Sequence, residues 1–226
     1  MTRPHVICHM GPSVDGRIVT GRWSVSRALS AAYEETAATF GADAWIIGRV
    51  SMEPYAGNAE VPGRDHGEPI PRVDFIDRDD ADSYAIAIDP SGKLRWESNM
   101  IDEEHVITIL TESVDDDYLA FLQSKGVSYL FGGRERIDLP MVLQKLADTF
   151  DIQTLLLEGG GNINGTFLEA DCIDELSLLI APVADGATNV ATLFDAGEST
   201  PARPLELISV EQREDSIVWI RYKVKR

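Results

Sequence analysis

The sequence predicts an α/β fold: a mostly parallel central sheet flanked by helices, with a C-terminal antiparallel hairpin. Short apolar runs at 5–10, 44–47, 84–88, 106–110, 127–131 and 154–157 read as buried strands. Between several of them lie stretches with helical apolar spacing, and strand–helix–strand order makes crossover units with parallel strands. Near the end, 205–211 and 217–224 are joined around Glu214-Asp215 and read as an antiparallel pair. At 226 residues the chain fits one domain spanning 1–226.

The first strand ends in Gly11-Pro12, an exit loop. From Ser26 to Phe40 apolar positions recur at Leu29, Ala32, Tyr33, Ala37 and Phe40, which predicts a helix capped by Ser24 or Ser26 and stopped by Gly41. The second strand is cut by Gly48. Residues 55–82 hold Gly57, Pro62, Gly63, Gly67, Pro69 and Pro71 among many charges, and read as a long irregular loop or insertion. Strand 84–88 closes on the turn Asp89-Pro90-Ser91-Gly92. Asp115-Asp116-Asp117 opens a helix to about Lys125, where carboxylates favour the helix N-terminus and Gly126 ends it. A helix over 139–150 precedes the strand 154–157, a helix over 163–170 follows it, and 175–180 is a further strand.

Net charge is −18 with pI near 4.5, which argues against a nucleic-acid binder, since that needs a dense basic surface. Any anionic ligand needs a locally positive site. Cys8 and Cys172 lie inside apolar runs and read as buried thiols of a reducing compartment. Neither a signal peptide nor an apolar run of about 18 residues is visible, so no membrane is expected and the cytoplasm is the default.

Three features fall at carboxyl ends of strands, where α/β folds bind ligands. The run Glu158-Gly159-Gly160-Gly161-Asn162-Ile163-Asn164-Gly165 follows a strand and opens a helix. Glycines there admit a pyrophosphate to the backbone, and the helix start offers unpaired N–H groups. It is not the usual dinucleotide fingerprint, because position 164 is Asn, and no Walker lysine follows. Ser13-Val14-Asp15-Gly16-Arg17-Ile18 follows the first strand as a turn or a site. Gly48-Arg49-Val50-Ser51 ends the second; Gly48 could admit a nicotinamide or phosphate and Ser51 could donate to one.

Together these motifs resemble the reductase domain of riboflavin biosynthesis. Asp174-Glu175-Leu176, Ile180-Ala181-Pro182-Val183 and Gly186 fit the same pattern, and the resemblance spans nearly the whole chain. It implies a dihydrofolate-reductase-like fold, NADPH as hydride donor and a homodimer. It also implies reduction of a ribosylamino-pyrimidine 5′-phosphate to its ribitylamino product. Carried over, the cofactor side comprises Trp23, Gly48, Ser51 and Gly159, Gly160, Gly161, Asn162, Ile163 and Asn164. The substrate side comprises His9, Ser13, Asp15 and Glu158, with Asp15 and Glu158 as catalytic residues. Family members often carry Lys where this chain has His9 and Arg at the level of Thr39. Arg64, Arg72 or Arg78 could replace that charge, or the substrate is another pterin or pyrimidine, or the chain is a non-catalytic relative. The proton donor stays open among Asp15, His9 and Glu158. The zinc-deaminase signature of the usual fusion partner is absent, which reads as a stand-alone reductase.

Overall fold

The computed structural model describes residues 3–63, 68–197 and 202–226. It begins with β1 (His5–Met10), α1 (Ser26–Ala38), β2 (Ala44–Gly48) and α2 (Arg49–Ala56). There follow β3 (Tyr84–Ile88), β4 (Met100–Ile101), β5 (Glu104–Leu110), α3 (Asp116–Lys125), β6 (Ser128–Phe131) and α4 (Leu139–Phe150). β7 (Thr154–Leu157), α5 (Gly161–Glu169), β8 (Glu175–Ile180), β9 (Leu205–Gln212) and β10 (Val218–Val224) complete the order. The architecture is the expected α/β one, with mostly parallel pairing and a C-terminal antiparallel hairpin.

Backbone proximity divides the chain into two compact units that interleave in sequence. One is Asp43–Gln153 with the few residues before β1; the other joins His5–Ala42 to Thr154–Arg226.

In the first unit, β2, β3, β5 and β6 pair in parallel, and the short β4 adds antiparallel to the start of β5. Met52, Trp96, Leu119, Leu122 and Tyr129 are among the side chains of its core. Each large side chain withdrawn from water contributes about 1.5–3 kcal/mol. Asp115 is the N-cap residue of α3, and Gly126 ends that helix at φ +68, as the sequence predicts. Past α2, the described part of the 55–82 segment forms no helix or strand beyond a bridge of Phe75 to Tyr129. It is irregular yet tied down. Asp74 accepts from Lys145 Nζ at 2.8 Å and from the Phe131 N–H at 2.8 Å, and Arg72 pairs with Asp116 at 2.5 Å.

In the second unit, β1 lies between β7 and β8, parallel to both; β10 adds antiparallel to β8, and β9 to β10. Trp23, Leu29, Leu179, Ala181, Ile217 and Trp219 pack a core beside this sheet. α1 differs slightly from expectation: its N-cap is Val25, with no side-chain cap, and it stops at Ala38. Gly41 follows at φ +54, the left-handed step the sequence places there.

Candidate active site

β7 carries Glu158 and the glycines to its carboxyl end. Gly159 has φ +92, a conformation that favours glycine, and the Gly159–Gly160 peptide is cis. Gly160 is extended at the N-cap of α5 and places no side-chain hydrogen bond on that helix start. The remaining glycines answer to packing. A Cβ on Gly161 would lie 2.2 Å from the Thr192 carbonyl oxygen, and one on Gly165 would lie 2.7 Å from that of Asp195. The 192–196 segment therefore lies directly on α5. The Asp195 N–H donates to the Gly161 carbonyl at 3.0 Å, and the Asn164 amide donates to the Leu193 carbonyl at 2.9 Å. Asn164 is fully buried, and its Oδ1 has no hydrogen-bond partner among the described residues. Asn162 is exposed and Ile163 half-buried.

The Ser13–Ile18 turn is zipped to a second loop of the same unit. Arg17 bridges to Thr192, and the Leu193 N–H donates to the Gly16 carbonyl at 3.0 Å. Buried Ser13 donates to Asp15 Oδ1 at 2.8 Å and accepts from the Arg17 N–H at 2.9 Å. The Asp15 carboxylate also accepts the N–H groups of Asp185 (2.9 Å) and Gly186 (2.8 Å). Those bonds hold it well below the usual carboxylate range, the Asp185 N–H contributing most. A group held so firmly ionised is a clasp for the 183–187 turn. In this structure the Asp15 carboxylate, expected as a catalytic residue, is engaged as an acceptor by that turn.

His9 is corrected. Its imidazole is wholly buried, with Nδ1 2.9 Å from Ser177 Oγ and Nε2 3.2 Å from the Tyr33 carbonyl oxygen. That oxygen only accepts, which puts the proton on Nε2 and makes Nδ1 the acceptor of the Ser177 hydroxyl. Ser177 in turn accepts from Trp219 Nε1 at 2.8 Å. Burial lowers the His9 pKa to about 4. It is a satisfied core histidine, neither acid nor surface ligand at neutral pH. Trp23 is likewise buried in the core, its indole N–H donating to Asp185 Oδ2 at 2.6 Å. It plugs the core edge and braces the Asp15 clasp.

Glu158 lines a cavity of about 220 Å³ with Met10, Gly11, Ile18, Leu29 and Tyr33, and Thr20 and Ser30 complete the wall. The cavity thus pairs apolar walls with one carboxyl and a few hydroxyls, the make-up of a small-molecule site. Tyr33, on α1, lines the same cavity, and its hydroxyl donates to the His9 carbonyl at 2.9 Å. Burial, then the negative Glu158, raises the Tyr33 phenol well above its usual range.

The sequence model of the RibD C-terminal domain matches residues 4–219. The chain belongs to this family. A 2,5-diamino-6-ribosylamino-4(3H)-pyrimidinone 5′-phosphate reductase of Methanothermobacter thermautotrophicus is 34% identical over 128 residues, 55% of this chain and 57% of that protein. One of the same name from Aquifex aeolicus is 25% identical over 195 residues, 85% of this chain and 83% of that one. Among solved structures, a pyrimidine reductase-like protein of Corynebacterium diphtheriae superposes with TM-score 0.71 at 15% identity, covering 99% of this chain and 92% of that one. Acinetobacter baumannii RibD gives 0.70 at 20% identity, covering 99% and 59%. The fold is dihydrofolate-reductase-like.

Other expected positions of this RibD C-terminal domain lie in its first unit. Gly48 is extended at the N-cap of α2, and Ser51 is exposed in the first turn of that helix. Arg72 is committed internally, to Asp116 and to the carbonyls of Ile70, Glu112 and Val114, so it does not supply a free phosphate ligand. Arg78 is half-exposed beside Asp80 at 3.9 Å, and Arg64 lies outside the described residues. Thr39 is exposed and donates to the Thr36 carbonyl at 2.6 Å. Sequence reasoning missed Tyr33 as a site residue, because its helical spacing placed it on the apolar stripe. The phenol oxygen on that stripe was the available signal. It also missed Asp185 and Asp195, whose partners are set by tertiary contact alone.

Proposed function

We propose that the chain is a reductase of the riboflavin-pathway type, reducing a ribosylamino-pyrimidine 5′-phosphate to its ribitylamino product with NADPH. The observation that carries this reading is the glycine corner at the end of β7, which opens α5 without a side-chain cap and adjoins the cavity holding Glu158. The names of the relatives from Methanothermobacter and Aquifex point the same way. The corner fits a dinucleotide diphosphate. Gly160 gives the backbone access, Gly159 supplies the left-handed step before it, and the first N–H groups of α5 offer donors with the positive end of the helix dipole. Gly161 is closed off by Thr192 and Asp195 and Gly159 faces Met10, so in this reading the ligand meets the corner at half-buried Gly160 and the head of α5. When bound, NADPH supplies the hydride.

In this reading Gly159, Gly160, Gly161, Asn162 and Ile163 form the cofactor corner. Asn164 acts from inside as its strut, and Glu158 meets the substrate. Ser13, Asp15, Trp23 and His9 support the site from outside the cavity wall, through internal hydrogen bonds. Gly48 and Ser51 are a separate cofactor contact proposed for the first unit. The exposed apolar residues of β9, Leu205, Leu207, Ile208 and Val210, support a homodimer. Among the described residues no helix is long and apolar enough to cross a membrane; a cytoplasmic location is part of the proposal.

A second reading keeps the chemistry and changes the substrate. None of the eight residues lining the cavity is basic, which favours a less anionic pyrimidine or pterin. Oxidation of NADPH, followed by absorbance with each compound in turn, tests both. Turnover of the ribosylamino-pyrimidine phosphate supports the first; turnover of only an uncharged heterocycle supports the second. Oxidation with neither contradicts both.

A further inference from the structure

The first unit holds a cavity of its own, of about 360 Å³. Arg72 and Asp74 of the 55–82 segment, Glu112 past β5, Gly133 and Arg134 past β6, and Lys145 of α4 form its polar wall. It therefore opens at the carboxyl ends of two parallel strands, where α/β sheets take ligands. Gly133 turns the chain sharply there: its φ is +144, and a Cβ on it would lie 2.3 Å from the Arg136 carbonyl oxygen. Three of the wall residues are basic and two acidic. The Glu158 cavity has one acid and no base. A further cavity of about 360 Å³, between α1 and the β9–β10 turn, has the acids Glu35, Glu214 and Asp215 against Arg213 alone. Of these three, only the cavity past β6 carries a basic excess, in a chain of net charge −18.

The three cations are held differently. Lys145 Nζ spends its donors on both Asp74 oxygens, at 3.0 and 2.8 Å, and on the Phe131 carbonyl at 2.9 Å. Arg72 is pinned to Asp116 and to three carbonyls. Both are fixed charges in the wall. Arg134 is the available one. Its side chain is 91% exposed, Glu112 lies 3.9 Å from its Nε, and it makes no hydrogen bond among the described residues. A guanidinium offers five N–H donors in a planar fork that matches a phosphate. Beside this charge, Val73, Phe131 and Met141 give the cavity an apolar face. We infer that the cavity is a second ligand site, for a small phosphate ester whose phosphate meets Arg134 and whose apolar body rests on that face. The site goes beyond the reductase reading and stands without it, since the glycine corner and Glu158 belong to the other unit.

Calorimetric titration of the full chain with phenyl phosphate tests the site. Saturable binding is expected, with inorganic phosphate, which lacks the apolar body, binding several-fold more weakly. Arg134→Glu changes an exposed side chain; it is expected to weaken phenyl phosphate about tenfold or more and to leave NADPH affinity at the wild-type value. Glu112→Gln removes the competing carboxylate and is expected to tighten phenyl phosphate. Absence of saturation in the wild type overturns the inference, as does equal affinity in a folded Arg134→Glu protein. Inorganic phosphate binding as tightly as phenyl phosphate would mean an adventitious ion only. Loss of phenyl phosphate binding at saturating NADPH would assign the cavity to the cofactor and overturn a second site. A protein that binds phenyl phosphate through Arg134 but never binds NADPH would sink the reductase reading and leave this site standing.

Discussion

Burial lowers the His9 pKa from 6.5 to about 4, and this ties folding to pH. The unfolded chain binds a proton on His9 below about 6.5. The native state resists that proton until about 4, so stability falls as pH drops through this window. The span corresponds to roughly 3 kcal/mol. Denaturant titrations at pH 7 and 4.5 should show a smaller acid loss for His9→Gln than for the wild type. Asp15 acts in the same direction at lower pH. Its carboxyl is depressed by backbone donors, so its contribution is present above the ordinary carboxylate range and fades as pH falls through the lowered value. At this scale the sequence was least legible. His9 meets Ser177 at a separation of 168 residues, Asp15 meets Gly186 at 171 and Trp23 meets Asp185 at 162. A motif gives the residue type, and only the folded partner decides whether it faces a ligand or the core.

At the scale of elements, the glycines of α5 separate two demands that look alike in sequence. Gly161→Ala and Gly165→Ala would drive a methyl group into the backbone of the 192–196 segment, at a cost of about 1–3 kcal/mol. Gly21→Ala meets nothing within 4 Å and should stay within about 0.5 kcal/mol of the wild type. Urea midpoints at unchanged slope check the ranking; equal costs for all three would contradict the packing account. The elements themselves were largely legible. β3, α4, β7 and β8 fall where the apolar runs and helical periods put them, because strong periodicity and flanking turns agree there. β4 went unseen, since two residues paired to the start of β5 leave no period to read. The 55–82 loop was legible as irregular, but its anchors Asp74 and Arg72 were not, because each depends on a distant helix.

For the whole molecule, the charge of −18 opposes encounter with an anionic cofactor. Stopped-flow association of NADPH should therefore quicken as salt rises from low to about physiological strength, the reverse of a basic site. The edge strand β9 carries Leu207 and Val210, each 55% exposed. If two chains meet there, Val210→Lys should shift sedimentation from dimer to monomer while leaving the helical signal of the fold intact.

Titration with NADPH, followed by nicotinamide fluorescence, bears most directly on the glycine corner. Saturable binding is predicted, weakened about tenfold or more in Gly160→Asp, which sets a carboxylate at the head of α5. Absence of saturation in the wild type, or equal affinity in a folded Gly160→Asp protein, would contradict the account.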